Sequence, residues 1–387
     1  MKITKLETLC LSRMHEPERQ WVTSRYRTVK ADCAIVLIHT DDGIVGIGEA
    51  SAYGGPLMIQ EWVDWLAPDL VGRDPEDFLL VPHPNGRPGS RSHDAAVAGI
   101  DCALWDLRGK IAGKRVSELL RPQSLDRVRL YASSGCRYDW RDRPEQLIDE
   151  AMEYIEMGFT AMKFRLGTEW TWDGVTVDRF MGLVRELTHE VNGRMELMLD
   201  GNCRLTEEQA MAVALGLDEL GFTWFEEPMP RDNIAGYARL CQAVDMAITG
   251  GESFSTLEEF RPYLEAHALD IVQPDAALCG ITEAMRIAEA ACRYGVDTCP
   301  HSWHNGLMCV EHAHYVAALP NPKVLELCMI QGPLQWAILQ DKPAIVDGHL
   351  VLSEKPGLGV SLASDLEAQY PYIEGAYGLQ VTRTPRS

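Results

Sequence analysis

Three carboxylates stand at equal intervals in this chain, and each closes a short apolar run. Asp200, Glu226 and Glu252 follow one another 26 residues apart, and the run before each acid is typical of a buried β-strand. An interval of this size holds one loop, one amphipathic helix and one returning strand, which is the repeat of a parallel βα unit. Because equivalent ends of parallel strands meet at one edge, the three acids are expected to converge.

The same rhythm of strand, loop and helix continues through most of the chain from about residue 127. Eight such repeats predict an α/β fold with a (β/α)8-type barrel, modified because the eighth helix is weakly marked. Earlier residues predict antiparallel strands and a helical window over 94–120, which together form an α+β capping domain. The predicted barrel strands lie at 129–132, 161–166, 196–200, 222–226, 247–252, 270–272, 297–301 and 324–327.

The chain is therefore expected to contain three parts. Residues 1–126 would form the capping domain and residues 127–345 the catalytic barrel. Residues 346–387 would return to the capping domain and complete it. A length of 387 residues accommodates a barrel of about 250 residues with a smaller partner domain.

Composition excludes several classes of partner. The 36 basic and 57 acidic residues give a net charge of −21, which argues against nucleic acid and anionic membrane surfaces. The eleven cysteines are scattered without any C-x-x-C pair, as in a reduced cytoplasmic protein. No signal-peptide core or membrane-length apolar run is visible. We expect a soluble, cytoplasmic homo-oligomer that binds a small molecule.

The three acids predict a divalent-metal site. Convergent carboxylates repel one another unless a cation lies among them, and hard oxygen ligands suit Mg²⁺. The alternative is that each acid caps the following helix, which Asp does often and Glu less often. Two of the three acids are Glu, and all three are in register, so we favour the metal site.

Other strand ends add cations and amides to the same edge. Lys163 and Arg165 lie two residues apart on the second barrel strand and therefore share its inner face. Asn202 is related to Asp200 in the same way. Of the neighbours Glu226 and Glu227, only one can face the site, and the spacing favours Glu226.

The last strands supply a candidate acid–base pair. Asp275 follows the sixth strand and His301 ends the seventh, so the two side chains are expected to be neighbours. A carboxylate bound to an imidazole fixes its tautomer and favours protonation, which suits a general base or acid. Glu326, at the end of the eighth strand, could donate or accept a hydrogen bond. The later histidines are expected to be loop or helix residues rather than ligands, namely His304, His312 and His314.

Substrate contacts are expected from two loops of the capping domain. Residues 13–30 form a long polar, aromatic connection, and residues 51–56 form a glycine-rich one. Arg25, Tyr26 and Tyr53 are the candidate contacts. The alternative is that each is an ordinary surface residue.

The ordered motifs resemble the enolase superfamily, in its mandelate racemase branch, over nearly the whole chain. The segment Gly99 to Lys110 is similar to the capping-domain helix of that family, and Pro356 to Val360 to its return segment. The barrel motifs that carry the resemblance are Asp200-Gly201-Asn202, Trp224-Phe225-Glu226-Glu227-Pro228, Gly251-Glu252, Gln273-Pro274-Asp275 and Pro300-His301-Ser302.

This resemblance implies a mechanism, and of two departures from the family pattern, Arg165 and a single glycine at Gly280, the first matters. It implies Mg²⁺ held by Asp200, Glu226 and Glu252, a substrate carboxylate chelated to it, and removal of the α-proton. That branch usually places a basic lysine where this chain has Arg165. Arginine stays protonated in proteins, so only the His301–Asp275 pair remains as a good base.

The leading hypothesis is therefore a lyase of carbohydrate catabolism, a hydro-lyase that dehydrates an aldonate or aldarate to a 2-keto-3-deoxy acid. His301 with Asp275 would act as base and then acid, while Lys163 and Arg165 neutralise charge and Glu326 binds a carboxylate oxygen. One alternative is an epimerase, racemase or cycloisomerase with Lys163 as second base. Another is a non-catalytic, metal-dependent carboxylate-binding protein, which the complete set of acidic and basic groups argues against.

Overall fold

The computed structural model describes residues 1–17, 20, 26–50, 55–77, 80, 90–135, 143–166, 174–330 and 332–380. Its strands are β1 (Ile3–Met14), β2 (Tyr26–Thr28), β3 (Lys30–Thr40), β4 (Val45–Ala50), β5 (Arg127–Ser133), β6 (Ala161–Arg165), β7 (Glu196–Asp200), β8 (Trp224–Glu226), β9 (Ala247–Gly250), β10 (Ile271–Val272), β11 (Asp297–Thr298), β12 (Leu325–Cys328), β13 (Ile345–Val346), β14 (His349–Val351) and β15 (Gly378–Gln380). Its helices are α1 (Pro56–Leu70), α2 (Arg91–Ala112), α3 (Val116–Leu120), α4 (Gln146–Glu156), α5 (Val177–Val191), α6 (Glu207–Glu219), α7 (Ile234–Ala243), α8 (Leu257–Glu265), α9 (Ala276–Arg293), α10 (Gly306–Ala318) and α11 (Leu366–Gln369).

Eight parallel strands alternate with helices between β5 and β12. They lie side by side in the order β12, β5, β6, β7, β8, β9, β10, β11, and helices α4 to α10 connect them. Within the described residues no β-ladder joins β11 to β12, although the Cys299 thiol donates to the Val324 carbonyl at 3.2 Å. Turns follow β12, where the sequence marks an eighth helix only weakly. The predicted α/β fold is confirmed.

Several barrel strands end earlier than the sequence pattern suggests. The strand predicted over 297–301 ends at residue 298, so His301 lies in the loop beyond it. Pro300 has no amide hydrogen to continue the ladder. Strand β9 likewise ends before Gly251, whose φ of 99° favours glycine. The chemically interesting side chains therefore lie just past the strands, on short loops.

The N-terminal part is an antiparallel sheet covered by two helices. The strands run in the order β1, β3, β4, and α2 packs closely on this sheet. Glycine permits the contact, because a Cβ on Gly46 would lie 2.3 Å from the Ala103 carbonyl oxygen. The helical window predicted over 94–120 is divided into α2 and α3, since Gly113 ends α2 in the left-handed conformation.

Later residues return to both parts of the molecule. Strand β14 pairs antiparallel with the start of β5, and β15 pairs antiparallel with β2. Between them, the amide of Leu358 donates to Asp106 on α2 at 2.8 Å. Among the helices of the described residues, none combines the length and the apolar character needed to span a membrane.

Asp106 joins three segments of the chain. Its carboxylate accepts the Ile47 amide at 2.9 Å and the Leu358 amide at 2.8 Å, and Lys110 pairs with it at 2.6 Å. The side chain is fully buried. Because a buried carboxylate needs compensating partners, this one ties β4, α2 and the returning segment together.

Replacing Asp106 with alanine should lower the free energy of unfolding by about 3 kcal/mol or more, because two buried amides and one ammonium group lose their acceptor. Urea unfolding followed by circular dichroism measures this loss. Asp64→Ala, on the exposed side of α1, is the control and should change the value by less than about 0.5 kcal/mol. Equal effects of the two substitutions would contradict the prediction.

Candidate active site

The three regularly spaced acids lie at one edge of the parallel sheet. Asp200 ends β7 and Glu226 ends β8, and the two residues are partners in the ladder. Thr249 is the partner of Glu226 on the next strand, and Glu252 follows three residues later. Asp200 and Glu226 are buried, whereas the Glu252 side chain retains 22% of its exposure. Successive strand ends thus bring the three acids to the same edge.

Two of these acids are already hydrogen-bonded. Lys163 donates to both oxygens of Glu226 at 2.7 and 2.8 Å, and the Gln273 amide donates to the same carboxylate at 2.7 Å. Asp200 accepts the backbone amide of Asn202 at 2.7 Å and its side-chain amide at 2.6 Å. Asn202 has a φ of 45°, which turns its amide back onto the acid. Asn202 therefore orients Asp200.

Glu227 is bonded to groups other than Asp200 and Glu226, although its partner Arg231 also lies 3.6 Å from Glu252. It forms a bidentate pair with Arg231 at 2.7 and 2.6 Å and accepts from the Cys203 thiol at 3.0 Å. Its φ of 37° separates its direction from that of Glu226. A left-handed conformation is unfavourable for glutamate, and here the ion pair with Arg231 holds it in place.

The carboxylates raise one another's proton affinity. Burial, which Lys163 only partly offsets, and repulsion by Asp200 raise the pKa of Glu226 to about 8. Burial, partly offset by His301, and repulsion by Glu227 and Asp200 raise the pKa of Glu252 to about 6. A cation between these groups would relieve the repulsion. Three carboxylates supply the hard oxygen donors that Mg²⁺ prefers, so the residues present fit that ion.

A second cluster surrounds Asp275. One of its oxygens lies 2.8 Å from His301 Nδ1 and 2.7 Å from His304 Nε2. Its other oxygen accepts the Ala277 amide at 2.8 Å. Burial would raise the pKa of Asp275, but the histidines hold it well below its ordinary value. Asp275 is therefore an ionised carboxylate shared by two imidazoles.

His312 is the third imidazole near Asp275, and it is neutral. Its Nε2 lies 3.3 Å from the carboxylate but accepts the Ala276 amide at 3.0 Å, so this nitrogen carries no proton. Burial lowers the pKa of His312 accordingly. Donor atoms of Asp275, His301 and His304 lie within 4.8 Å of one another, close enough to hold a metal. These atoms already bond to each other, and imidazole suits softer metals than Mg²⁺.

His301 connects the two clusters. Its Nδ1 is bound to Asp275, and its Nε2 lies 3.5 Å from a Glu252 oxygen. Burial would lower the pKa of His301, but attraction to Glu252, Glu326 and Asp275 raises it to about 10. The imidazole is thus protonated, with its second nitrogen directed at the acidic edge.

The predicted cations occupy different surroundings. Lys163 is buried between Glu226 and Glu326, the latter at 3.2 Å. Burial would lower the pKa of Lys163, but these acids raise it above the ordinary range, so it remains an ammonium group. Arg165 lies over the Trp303 ring, with its guanidinium carbon 4.2 Å from the centroid.

Glu326 is held as an anion. It accepts the Ser133 hydroxyl and the Ser302 amide, both at 2.6 Å. Burial opposes ionisation, yet Lys163 and His301 lower the pKa of Glu326 to about 2. Of the two hydrogen-bonding roles considered for this residue, the structure has Glu326 as acceptor.

Sequence reasoning missed the roles of His304, His312, Trp303 and Ser133. His304 lies in a loop and His312 in α10, as expected, but both approach Asp275. The contact between His312 and Asp275 joins residues 37 positions apart, and no local pattern marks it. Arg25 and Tyr53 lie outside the described residues, as does the side chain of Tyr26.

Comparison with protein families gives two matches. The family described as "Enolase C-terminal domain-like" matches residues 146–366. The family described as "Mandelate racemase / muconate lactonizing enzyme, N-terminal domain" matches residues 7–121. Together they cover both the sheet with its carboxylates and the domain that packs on it.

Individual proteins are similar over most of the chain. D-galactarolactone cycloisomerase of Agrobacterium fabrum is 30% identical over 387 residues, covering 96% of this chain and 99% of its own. Arabinonate dehydratase of Saccharolobus solfataricus is 30% identical over 342 residues, covering 86% of this chain and 89% of its own. The crystal structure of 3,6-anhydro-D-galactonate cycloisomerase from Zobellia galactanivorans has a TM-score of 0.81 at 28% identity, covering 96% and 99%.

Mg²⁺ should raise the melting temperature of the protein, and more so at pH 8 than at about pH 6. The folded-state pKa values of Glu226 and Glu252 lie above the ordinary value of 4.5, so stability without metal falls as pH rises from about 4.5 to 8. The deprotonated acids bind Mg²⁺ more tightly, which reverses this loss. Scanning fluorimetry with Mg²⁺ or EDTA measures it.

Matched variants test which acids are responsible. Glu252→Gln should lose most of the Mg²⁺-dependent shift. Glu196→Gln, at the opposite end of the strand that carries Asp200, should keep it, because Glu196 pairs with Arg129 at an exposed position. A shift that is the same in both variants would contradict this metal site.

Proposed function

The chain belongs to the enolase superfamily, in its mandelate racemase and muconate lactonizing enzyme branch, and from this premise we propose that it dehydrates a sugar acid. The substrate would lose its α-proton and its β-hydroxyl and leave as a 2-keto-3-deoxy acid. One observation carries the proposal: His301 is fixed by Asp275 through one nitrogen and directs the other at the carboxylate edge. Arabinonate dehydratase, a relative over most of the chain, supports this reaction class.

Mg²⁺ held by Asp200, Glu226 and Glu252 would bind the substrate carboxylate and stabilise the negative charge that develops when the α-proton leaves. Lys163, a buried ammonium group, would add positive charge on the same side. Arg165 would contribute a second fixed cation, because stacking on Trp303 limits its orientations.

His301 would move the protons. Its Nε2 takes the α-proton when the imidazole is neutral, and the carbanion that forms expels the β-hydroxyl. The same imidazolium then protonates this hydroxyl, which leaves as water, and the enol tautomerises to the keto acid. A cation bound at Glu252 would weaken the main attraction that keeps His301 protonated, and so bring the base nearer to neutral pH.

The basic groups favour elimination over inversion. Racemisation or epimerisation needs an acid or base on each face of the α-carbon. Lys163 is held as a cation between Glu226 and Glu326, and Arg165 cannot readily deprotonate. His301 is therefore the main candidate for a base.

Cycloisomerisation is the second candidate, and two full-length relatives favour it. The Agrobacterium fabrum and Zobellia galactanivorans proteins are both cycloisomerases, and each is matched over 96% of this chain. This reaction also begins with α-proton removal, but the leaving oxygen stays within the molecule. It requires the same base and the same charge stabilisation, so product identity must separate the two reactions.

The proposed partner is a small carboxylate, and the proposed compartment is the cytoplasm. The ten cysteines in the described part of the chain are all free thiols, which agrees with a reducing environment. Buried catalytic groups and a complete acidic cluster argue against a protein that only binds carboxylates.

His301→Asn should lower the rate of α-proton exchange by at least about a hundredfold, because the proton acceptor is lost. Proton NMR in deuterated water, with a panel of aldonates and aldarates, measures the exchange. His189→Asn, at an exposed position near the end of α5, is the control and should retain the parent rate. Parent-like exchange in His301→Asn would exclude the assigned base.

Product analysis distinguishes the two reactions. We expect the parent enzyme to convert its substrate to a 2-keto acid with loss of one water, detectable as a semicarbazone and by mass spectrometry. A 2-keto product with the mass of the substrate would instead indicate cycloisomerisation of a lactone or anhydro sugar, because the leaving oxygen then stays in the molecule. Deuterium incorporation with inverted configuration would indicate epimerisation.

A further inference from the structure

A cavity lies beside the candidate active site, between the capping domain and the loops that follow β11 and β12. Its volume is about 90 Å³, several times the roughly 10–15 Å³ that one water needs. Its walls include Thr28 and Lys30 from the capping domain, and His304 and Gln335 from the barrel side. We refer to it as the side cavity.

The side cavity is separated from the catalytic groups by two neighbouring residues. His304 lines the cavity and contacts Asp275 through Nε2 at 2.7 Å. Trp303 also lines it and stacks with Arg165 at 4.2 Å. These two residues therefore belong both to the cavity wall and to the contacts of Asp275 and Arg165, so the cavity lies next to the proposed reaction centre.

Two oxygens in the cavity wall have no hydrogen-bond partner among the described residues. They are Oγ1 of Thr28 and Oε1 of Gln335, and these side chains belong to residues that are 5% and 2% exposed. The amide nitrogen of Gln335 is already used, because it donates to the Cys328 carbonyl at 3.0 Å. Buried acceptors without donors are unfavourable, so these atoms suit ligand hydroxyl groups.

The charges around the cavity favour a neutral ligand group. Lys30 is paired with Asp32 at 3.2 Å and also donates to the Ile373 carbonyl, so its charge is compensated. Asp32 accepts the Ser12 hydroxyl at 2.6 Å. Glu49 is a second buried acid in the wall. Because the wall contains two carboxylates and only one lysine, which Asp32 already neutralises, a further carboxylate would be repelled.

We propose that the side cavity receives the neutral, hydroxylated end of a monocarboxylate sugar acid, and that Thr28 and Gln335 select it by hydrogen-bonding its distal hydroxyls. This inference rests on the proposed function and narrows it. Aldonates, which end in a hydroxymethyl group, are substrates in preference to aldarates, which end in a second carboxylate.

Thr28→Val tests the proposal with little change in shape. For the six-carbon aldonate that is turned over fastest, kcat/KM should fall by about threefold to tenfold, the usual effect of losing one hydrogen bond. Gln335→Met should act in the same direction. Thr8→Val is the matched control, because Thr8 is also buried with no partner for Oγ1 within the described residues, but it lies on β1 away from the cavity walls.

The choice of substrate provides the second measurement. The parent should use this aldonate at least tenfold more efficiently than the aldarate that differs only at the far end. The 6-deoxy form of this aldonate lacks the distal hydroxyl. With it as substrate, Thr28→Val and the parent should have equal kcat/KM. Preference for the aldarate, or an equal effect of Thr28→Val and Thr8→Val, would overturn the proposal.

Binding of a neutral polyol separates this proposal from the proposed function. Saturation-transfer NMR with xylitol needs neither Mg²⁺ nor turnover, and it should detect contact with the parent and with Thr8→Val but not with the double variant Thr28→Val, Gln335→Met. If xylitol binds but no acid sugar exchanges its α-proton, the cavity proposal is supported and the proposed reaction is contradicted. If an acid sugar exchanges its α-proton but xylitol does not bind, the cavity proposal is overturned and the proposed reaction is not.

Discussion

Buried negative charge at one edge of the parallel sheet is the constraint to which the rest of the active site responds. Register places Asp200 and Glu226 on adjacent strand ends, so their repulsion is built into the fold. Lys163 offsets it by pairing with Glu226 and Glu326, and Asn202 adopts a left-handed conformation to bond Asp200. These are partial compensations, since the pKa of Glu226 still lies near 8. A divalent cation would complete them, which links the stability of the site to its activity.

The capping domain is joined to the barrel by the same kind of interaction. Glu49 accepts the amide of Met308 at 2.9 Å in the first turn of α10, and Asp101 accepts the amide of Thr282 at 2.8 Å within α9. Both amides are buried donors that the helix leaves free, Met308 in a first turn and Thr282 just after the kink at Gly280 in α9, and the carboxylates satisfy them. These contacts fix the barrel helices that follow the catalytic loops, so domain packing and the position of His301 depend on one another.

Much of this architecture could be predicted from local patterns. The spacing of Asp200, Glu226 and Glu252 reports a repeated βα unit, and periodicity marks most of the helices. The predicted family is confirmed by the comparisons, and the predicted reaction class is that of one relative, arabinonate dehydratase. The contacts of Asp275 with His304 and His312 could not be predicted, because they depend on how a loop and a helix pack after the strands are in place. The strands before Glu252 and His301 are also shorter than predicted. Gly251 and Pro300 interrupt the backbone hydrogen bonds there, and the hydrophobic pattern does not reveal this.

Strand β2 shows that residues far apart in the sequence form one wall of the side cavity. It carries Thr28, a wall of the side cavity, and its partner is β15, where Gly378 lies opposite Thr28. The Val29 amide also donates to the Tyr377 carbonyl at 2.8 Å. During synthesis on the ribosome, Thr28 therefore has its strand partner only after 350 further residues, when Gly378 has been made. The barrel can assemble its carboxylate edge earlier, but the cavity beside it is enclosed only when residues 377 and 378 have emerged.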